Sequence, residues 1–491
     1  MTAGTNPRGA TRPGAVSPIT PIEFPGRVTI IGCGAIGQTI LPLLRRHLAL
    51  GEDKLTVLAA DELGRGVAKE FGAPLVHAHL KPRSYRRILS RHLKPGDLLL
   101  NLSVDVSSLD LIRFAAEHQV LYVDTSIEPW PGVFDNPMLD LRQRSNFMIR
   151  ARALQLGREL GADSPTAVVD HGANPGLVSH FLKRALLDLA RALRGGEHPR
   201  PTNREEWATL ARDLGVRLVQ VSERDTQAGE RPKRPGEFVN TWSIDGFLDE
   251  AMQPAELSFG TFEKHKPKGA QYHRRDSGTV FLNRPGAATY ARSWTPSGGG
   301  FQGLLMSHDE VFSIGDQLSL RNSGRLAYRP TVMYVYHPCD DAMLSVLELE
   351  GRGWEPQEKR RRLAREIVTG MDELGVLLAG HARNAYWYGS QLSIEEARKH
   401  VSFANATSVQ VAAGALAAVV WAIRNPRRGV VEADALDFEE CLETAAPYLG
   451  RMVGEFTAWT PLQGRGELFE EVLDTDQPWE LQNVRSRQWR G

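Results

Sequence analysis

The sequence predicts an α/β protein: a Rossmann-type, doubly wound parallel sheet, followed by a second α+β domain with a mixed or antiparallel sheet. Three observations predict it. From Arg27 onward, short β-rich runs alternate with longer amphipathic stretches, which is typical of a parallel sheet covered by helices on both faces. The β-rich runs are almost continuously apolar, as in strands buried on both sides. After about residue 200, many short β-like runs with turn signals replace this alternation.

The first part of the chain is expected to form a cofactor-binding domain over residues 26–175. Its predicted strands are RVTIIG, KLTVLAAD, APLVHAHL, GDLLLNLSVD, VLYVDTSI and TAVVDHGA. Its helices are expected to begin near Ala35, Leu63, Tyr85, Ser108, Asn136 and Gly176. Residues 1–25 are rich in Pro, Gly, Ser and Thr, a composition that predicts a disordered tail.

Residues 176–380 are expected to form a substrate-binding domain. Its predicted strands are VRLVQVSE, EFVNTWSI, AELSFGTF, GTVFLN, ATYARSW, GFQGLLMS, DEVFSIG and PTVMYVYHP. Helical patterns return from about 355 to 425, and residues 381–491 are expected to form a helical segment that packs back on both domains. The apolar run Val411 to Ile423 is too short to span a bilayer. We expect it to be a buried helix with Ser408 as its N-cap.

The composition disfavours several classes of protein. Lys plus Arg and Asp plus Glu both number 59, so the formal net charge is zero and gives no electrostatic basis for binding nucleic acid or an anionic membrane. Cys33, Cys339 and Cys441 are far apart and form no CxxC pair, which disfavours a disulfide framework or a zinc cluster. We therefore expect a cytoplasmic protein without a metal site.

The run GCGAIG places Gly32, Gly34 and Gly37 in GxGxxG spacing, directly after the strand RVTII. In this motif the first glycine permits a tight turn, the second lets the backbone approach a diphosphate, and the third lets the helix pack on the strand. The diphosphate then lies at the helix N-terminus. We therefore expect Ala35 and Ile36, with the three glycines, to contact a dinucleotide.

The second strand ends in Asp61, which can accept hydrogen bonds from the adenine ribose and so favours NAD over NADP. Arg65 follows four residues later, which leaves NADP open. The loops after the later strands should surround the nicotinamide. They carry further candidates, although each of them is equally typical of a turn or an N-cap: Ser103, Asp105, Ser126, Glu128 and Asn174.

Carboxylates lie close to aromatic residues in the second domain. Glu223 occurs in VSERDTQ, Trp242 in FVNTWSIDGF and Glu250 in LDEAMQPAE. His308 in LLMSHDE and Asp372 in TGMDELGV are further candidates. Taken singly, each is more often a surface charge or a core aromatic, so composition alone does not select them.

Four runs, NTWSIDGFLDE, HGANPGLVSHF, YVYHPCDDAMLS and AYWYGSQLS, resemble bacterial homospermidine synthases, a family within the saccharopine-dehydrogenase-like proteins. The resemblance extends from the glycine motif to NATSVQVAAGALAAVVWAI. It implies NAD as a prosthetic group, diamine and polyamine substrates, and a homodimer, with residues 176–380 as the substrate-binding and dimerisation domain.

The resemblance also implies a reaction without net redox change. Putrescine is oxidised to an imine, a second putrescine attacks it, and ammonia leaves. The same bound NADH then reduces the Schiff base to sym-homospermidine. Spermidine can replace one putrescine as aminobutyl donor.

The resemblance gives roles to particular side chains. Trp242 faces the cationic amine through a cation–π attraction worth roughly 0.5–2 kcal/mol. His308 is the candidate for proton transfer, because hydride leaves only from a neutral amine. The others anchor ammonium ends (Glu223, Glu250 and Asp372) or lie near the reacting amine (Asn174 and Glu128).

Two other functions stay open. A carboxynorspermidine or saccharopine reductase would need Arg or Lys for its substrate's carboxylate, and the basic stretch at 264–275 could serve, although we interpret it as a solvated loop. An NAD sensor without chemistry would tolerate changes at Trp242 and Glu223. Formation of homospermidine from putrescine and NAD alone discriminates among the three.

Overall fold

The structure, a computed structural model, describes residues 19–134, 136, 138–274 and 277–486. Most of the expected N-terminal tail therefore lies outside the described residues. The described part begins with a short strand, Ile22–Glu23, which pairs in parallel with Leu48–Ala49.

A seven-stranded parallel sheet forms the first domain, as predicted. Its strands, in spatial order, are Val430–Glu432, Ala167–Val169, Leu121–Asp124, Leu98–Asn101, Val28–Ile31, Leu55–Ala59 and Leu75–His77. The six strands before residue 175 coincide with the six predicted runs. The edge strand at 430–432 was not predicted and is contributed by the C-terminal part of the chain.

The helices between these strands are Ala35–His47, Arg65–Glu70, Tyr85–Leu89, Ser108–Glu117, Asn146–Leu160 and Leu177–Arg194. The helix predicted to begin near Asn136 begins ten residues later, so that prediction is wrong. The physical reason is capping: the Ser145 side chain accepts a hydrogen bond from the Met148 N–H, which starts the helix there. The Asn136 side chain instead accepts from the Met138 N–H in a turn.

A ten-stranded mixed sheet forms the second domain. Along its main path the strands are Gln271–Tyr272, Thr279–Pro285, Pro254–Ser258, Thr331–His337, Leu218–Asp225, Met371–His381, Asn384–Ser393 and Arg451–Thr457. The hairpin Tyr290–Thr295 and Gly299–Met306 joins it at Thr331–His337. The central pair, Thr331–His337 with Leu218–Asp225, is parallel. Shorter pairs lie outside this sheet: Ala228–Gly229 with Ile367–Thr369, Glu237–Asn240 with Lys359–Arg362, and Leu320–Asn322 with Arg325–Tyr328.

The remaining α-helices are Arg204–Leu214, Ile244–Met252, Glu310–Gln317, Asp340–Gly351, Ile394–His400, Ala406–Arg424, Phe438–Ala445 and Leu481–Val484. Single 3-10 turns occur at Gly286–Ala288, Ala433–Ala435 and Ala446–Tyr448. The run DEVFSIG, predicted as a strand, lies in the helix Glu310–Gln317. An acidic residue in the first turn favours a helix, and Val311, Phe312 and Ile314 are buried at helical spacing.

The helical pattern expected from 355 to 425 is wrong before residue 394. Met371–His381 and Asn384–Ser393 are instead the long antiparallel hairpin of the second sheet. Leu, Ala and Glu in MDELGVLLAGH suggested a helix, but pairing with Leu218–Asp225 overrides that local propensity. The segment 381–491 is therefore only partly helical, because it adds strands to both sheets.

The apolar helix Ala406–Arg424 is central to the fold. It contacts the helix Ala35–His47 of the first domain and the long hairpin of the second. In the described part of the chain it is the one helix long and apolar enough to cross a membrane, and 89% of its most apolar window is buried within the protein. Its N-cap is Asn405, whose side chain accepts from the Ser408 N–H, so Ser408 is in the first turn and is not the cap.

Candidate functional site

The glycine motif forms the turn between the strand Val28–Ile31 and the helix Ala35–His47. Gly32 has a φ of +93°, and a Cβ there would lie 2.6 Å from the Leu102 carbonyl oxygen. A Cβ on Gly37 would lie 2.4 Å from the Gly32 carbonyl oxygen. Gly34 differs, because it is exposed and a Cβ there would meet nothing within 4 Å. Two glycines are therefore required by the fold, whereas the third leaves open surface at a helix N-terminus that no side chain caps, which suits a diphosphate.

Asp61 is exposed after the neighbouring strand, where its carboxylate accepts a hydrogen bond from the Leu63 N–H at 2.9 Å. Arg65, the residue that left NADP open, forms an ion pair with Glu62. A second basic group, His77 Nδ1, lies 3.6 Å from the same Glu62 carboxylate. Arg65 and His77 thus both lie at the Glu62 carboxylate and do not form a free basic site for a 2′-phosphate. This arrangement favours the unphosphorylated ribose of NAD.

The other cofactor candidates lie at the carboxyl edge of the parallel sheet. Ser103 Oγ donates to Asn101 Oδ1 at 2.7 Å, and Ser126 Oγ donates to Glu128 Oε1 at 3.2 Å. Asp105 is exposed and has a φ of +65°. Ligands of open parallel sheets bind outside this edge, so the loop with Ser103 and Asp105 and the loop with Ser126 lie where a nicotinamide is expected.

The second sheet carries a row of polar side chains on one face. Tyr336 lies opposite Glu223 in the parallel pair of strands, and Asp372 lies opposite Asp225 in the neighbouring antiparallel pair. Residues directly opposite each other share a face, as do residues two apart on one strand. Tyr334 therefore lies on the same face.

Glu223 joins the two domains. Its Oε2 accepts from Asn174 Nδ2 at 2.9 Å and from the Tyr334 hydroxyl at 2.5 Å. Asn174 lies in the turn that follows the parallel strand Ala167–Val169, so this contact brings the second sheet to the carboxyl edge of the first. Burial raises the pKa of Glu223 to about 7, against the lowering effect of the Tyr334 hydrogen bond.

Trp242 is half-buried between the strand Glu237–Asn240 and the helix Ile244–Met252. The helix begins there because the Ser243 side chain accepts from the Gly246 N–H. The indole Nε1 donates to the Tyr336 hydroxyl at 3.2 Å, and the ring packs against Phe247 at 5.6 Å between centroids. These contacts hold the indole beside the Glu223 row.

His308 is buried between two carboxylates. Its Nε2 lies 2.8 Å from Glu250 Oε2, and its Nδ1 lies 3.3 Å from Glu310 Oε1. The ring packs on Tyr334 with centroids 4.5 Å apart. Burial alone would lower the pKa of His308, but the charges of Glu250 and Glu310 outweigh it and hold that pKa well above its usual value. The two carboxylates thus favour the imidazolium form of His308, which can donate a proton.

Carboxylates outnumber cations in this region. Burial, and then the charges of Asp249 and Glu250, raise the pKa of Glu128 to about 8. Asp372 is fully buried, accepts from the Thr407 hydroxyl, and has a pKa well above its usual value because of burial and the charges of Glu223 and Asp225. An uncompensated group of acids beside aromatic rings suits a ligand with more than one positive charge.

Sequence reasoning missed four residues of this site: Asp225, Glu310, Tyr334 and Tyr336. A signal for three of them was present, because Glu223 with Asp225 and Tyr334 with Tyr336 have the spacing of two that places residues on one strand face. Glu310 gave no such signal, since its run was interpreted as a strand.

One group of buried side chains in the described part of the chain could hold a metal ion: His171, His180 and Cys441. The two imidazoles already form a hydrogen bond, with their Nε2 atoms 2.8 Å apart. His171 Nδ1 lies 3.0 Å from the Gly414 carbonyl oxygen. The absence of a metal site stays a prediction.

Comparisons with known proteins agree with this two-domain arrangement. Residues 28–168 match the saccharopine dehydrogenase NADP binding domain, and residues 172–457 match the saccharopine dehydrogenase C-terminal domain. The fold and the site thus define a saccharopine-dehydrogenase-like protein.

More similar relatives narrow the class. The chain is 47% identical to the homospermidine synthase of Blastochloris viridis, over 94% of this chain and 98% of that one. It is 43% identical to that of Mesorhizobium japonicum, over 95% and 97%. The crystal structure of the homospermidine synthase from Legionella pneumophila in complex with NAD matches with a TM-score of 0.89 and 41% identity, over 95% of this chain and 99% of that one. The chain belongs to the homospermidine synthase family.

Proposed function

We propose that this protein is an NAD-dependent homospermidine synthase, which joins two putrescines, or putrescine and the aminobutyl group of spermidine, with loss of ammonia in the putrescine reaction. The hydrogen bond from Asn174 to Glu223 carries the proposal. It holds a row of acids and aromatics against the edge of the parallel sheet where a dinucleotide binds. The relatives that bear this name, and the NAD in the Legionella structure, support it.

The cofactor side of the site is supplied by the first domain. Bound NAD takes a hydride from the amine carbon and returns it to the Schiff base. Gly32, Gly34 and Gly37, with Ala35 and Ile36, hold the diphosphate at the helix N-terminus, and Asp61 binds the adenine ribose. Three loop residues contact the nicotinamide end: Ser103, Asp105 and Ser126.

The substrate side is supplied by both domains. A diamine is a dication at neutral pH, and Glu128, Glu250 and Asp372 anchor its ammonium ends. The indole of Trp242 stabilises the positive charge that develops on the reacting carbon–nitrogen unit, where a cation–π contact is worth roughly 0.5–2 kcal/mol. A neutral ring offers this stabilisation without forming an ion pair that would trap the imine.

Proton transfer is divided between two side chains. The amine must be neutral before hydride leaves it, and Glu223, whose pKa is about 7, is matched to accept that proton. Asn174, hydrogen-bonded to Glu223, orients the reacting amine. His308, held as an imidazolium, protonates the departing ammonia.

The test is to supply putrescine and NAD alone and analyse the products by chromatography and mass spectrometry. We expect homospermidine and ammonia in equal amounts, with no accumulation of NADH. Turnover of an amino-acid substrate without homospermidine would support the reductase alternative. Binding of NAD without any product would support the sensor, whereas we expect Glu223→Gln to bind NAD and lose turnover.

The family resemblance also supports a homodimer in a reducing cytoplasm. Light scattering coupled to size exclusion should give about twice the 54.4 kDa mass of one chain. A mass of one chain at micromolar concentration would exclude the dimer.

A further inference from the structure

A small cavity lies at the turn that carries Asn174. It has room for about one water-sized occupant. It is lined by residues from both domains: Asp170, Pro175, Gly176, Ser179, Asp309, Glu310, with Ser313 and the Glu432–Ala433 pair.

The oxygen atoms around this cavity lack partners. Within the described residues, Asp170 Oδ2, Ser179 Oγ, Asp309 Oδ1 and Glu310 Oε2 form no hydrogen bond. The other carboxylate oxygen, Glu310 Oε1, lies 3.3 Å from His308 Nδ1. The four side chains that line the cavity are buried, with exposed fractions of 4%, 0%, 7% and 1%. A buried polar atom without a partner costs about 1–3 kcal/mol, and native proteins rarely leave several together. Four such atoms around one small space indicate an occupant rich in N–H or O–H donors.

The charges in the lining favour a cation over a neutral occupant. Arg150 is already bonded to Glu432 at 2.9 Å and to Asp316 at 3.0 Å. The other cation, His308, lies 3.3 Å from Glu310 through Nδ1 and is shared with Glu250. Burial, and then the charge of Asp309, raise the pKa of Asp170 well above the usual range. Burial also raises the pKa of Asp309 well above that range, against the lowering effect of Arg150 and with the charges of Glu256 and Glu310. These carboxyls are thus neutral while the cavity holds no cation, and a cation bound there would favour their ionised forms.

The cavity adjoins residues of the proposed reaction site. Pro175 and Gly176 line it, and the preceding residue, Asn174, bonds to Glu223. Glu310 approaches one nitrogen of the His308 ring, while Glu250 approaches the other. One imidazole therefore lies between Glu310, which lines the cavity, and Glu250, the proposed anchor of the amine.

We propose that this cavity binds the ammonium ion released by the reaction, an inference that rests on the proposed condensation. In that step the attacking amine forms a bond to the imine carbon, and the bond from that carbon to the original nitrogen breaks. The nitrogen leaves as ammonia and takes the proton of the His308 imidazolium. Its four N–H groups then bond to the orphan oxygens of Asp170, Ser179, Asp309 and Glu310. Held there, the nitrogen is no longer a nucleophile and does not add back to the Schiff base.

Thallium(I) provides a direct test, because it has the charge of ammonium and nearly its radius, and scatters X-rays anomalously. Crystals of the NAD-loaded protein soaked in thallium acetate should show an anomalous peak in this cavity. Ammonium acetate should displace the peak, and lithium acetate at the same ionic strength should not, with chloride excluded because it precipitates thallium(I). Absence of a peak overturns the proposal. A peak that ammonium leaves in place overturns it too, and would indicate a metal-cation site.

Variants inside and outside the cavity lining test whether the thallium peak arises from this cavity. Asp309→Asn should abolish the peak, whereas Asp434→Asn should keep it, because Asp434 also has unpartnered oxygens but does not line the cavity. If Asp309→Asn fails to fold, Ser179→Ala removes one orphan oxygen without changing charge and should lower the occupancy. Equal peaks in all variants would reject this lining as the site.

A kinetic measurement separates this inference from the proposed function. Added ammonium should inhibit homospermidine formation, and Asp309→Asn should raise the ammonium inhibition constant at least about tenfold relative to Asp434→Asn, as loss of a buried charged hydrogen bond predicts. An enzyme that forms homospermidine but shows no displaceable peak keeps its function and loses the ammonium site. If the protein shows the peak but forms no homospermidine, the proposed function is refuted. The reaction is then also excluded as the source of the bound ammonium.

Discussion

At the scale of single residues, the site is defined by carboxyl groups that are protonated more readily than usual. Burial raises the pKa of Glu223 to about 7 and that of Glu128 to about 8. Both carboxyls are therefore partly neutral near physiological pH when no cation is present. A diamine favours the ionised form of each carboxyl, so its binding and the loss of protons are linked.

Putrescine binding at pH 7 should accordingly release about one proton per site. Calorimetry in buffers of different ionisation enthalpy measures this number. Glu128→Gln should reduce the release, and Glu263→Gln is a matched control, because Glu263 also has a pKa raised to about 7 but lies near the C-terminal tail, where it accepts from the Leu481 N–H. Proton release that is the same in both variants and in the parent would contradict the assignment of Glu128.

The same shifts predict how the stability of the amine-free protein depends on pH. A carboxyl whose pKa is higher in the folded state than in the unfolded state stabilises the fold below its unfolded pKa, and this contribution is lost as the pH rises through the folded value. For Glu223 and Glu128 the loss runs from about pH 4.5 to between 7 and 8. Denaturant unfolding should therefore show a falling free energy of unfolding across this window, with a shallower fall in Glu128→Gln. The free energy of unfolding of the parent minus that of Glu128→Gln should fall across this window. A rise in that difference would contradict the raised pKa of Glu128.

Trp242 makes a residue-scale prediction of its own. Trp242→Ala removes the cation–π contact, so kcat should fall by about 2- to 30-fold, the equivalent of roughly 0.5–2 kcal/mol, while the Kd of NAD stays unchanged. Trp387→Phe is the control, because Trp387 pairs with Leu377 and so faces the opposite side of the same sheet from Asp372. Full turnover in Trp242→Ala would remove the indole from the mechanism.

At the scale of elements, the sequence was informative where one local pattern determined one structure. The six strands of the first sheet were predictable because each is short, apolar and bounded by turns. The hairpin Met371–His381 with Asn384–Ser393 was not, because its conformation depends on distant pairing with Leu218–Asp225. A Cβ on Gly375 would lie 2.4 Å from the Trp387 ring, a close approach that no local pattern reveals. Asp372 was therefore named as a candidate before the strand that positions it could be recognised.

In the strand–turn–helix unit of the glycine motif, Gly37 is needed for folding and Gly34 for cofactor binding. Gly34→Ala meets no atom within 4 Å, so the Tm of the cofactor-free protein should be unchanged while NAD affinity falls at least about tenfold, because the methyl group occupies the approach to the diphosphate. Gly37→Ala places a methyl 2.4 Å from a backbone oxygen and should destabilise the protein by about 1–3 kcal/mol. Thermal unfolding and NAD titration of both variants check this. An equal fall in Tm in Gly34→Ala and Gly37→Ala would contradict these separate roles.

At the scale of the whole molecule, the two domains meet through the turn that carries Asn174. A Cβ on Gly414 would lie 1.9 Å from the Gly172 carbonyl oxygen, so the core helix Ala406–Arg424 contacts the start of this turn directly. The same helix packs on the cofactor-domain helix Ala35–His47 and on the second sheet. The cofactor loops, the Asn174 turn and the Glu223 row are thus parts of one packed unit, which favours completing both hydride transfers without opening the site.

This arrangement predicts that the hydride taken from one amine returns to the same product molecule. Putrescine deuterated at both amine carbons, supplied with a large excess of free unlabelled NADH, should give homospermidine that retains all of its deuterium. Retention requires that the bound cofactor does not exchange between oxidation and reduction. The same closed site protects the imine from water. Mass spectrometry of the product measures it, and Gly34→Ala provides a comparison in which a weakened cofactor grip should permit exchange. Replacement of one deuterium by hydrogen in the parent protein would show that the cofactor leaves between the two steps, and would make it a cosubstrate.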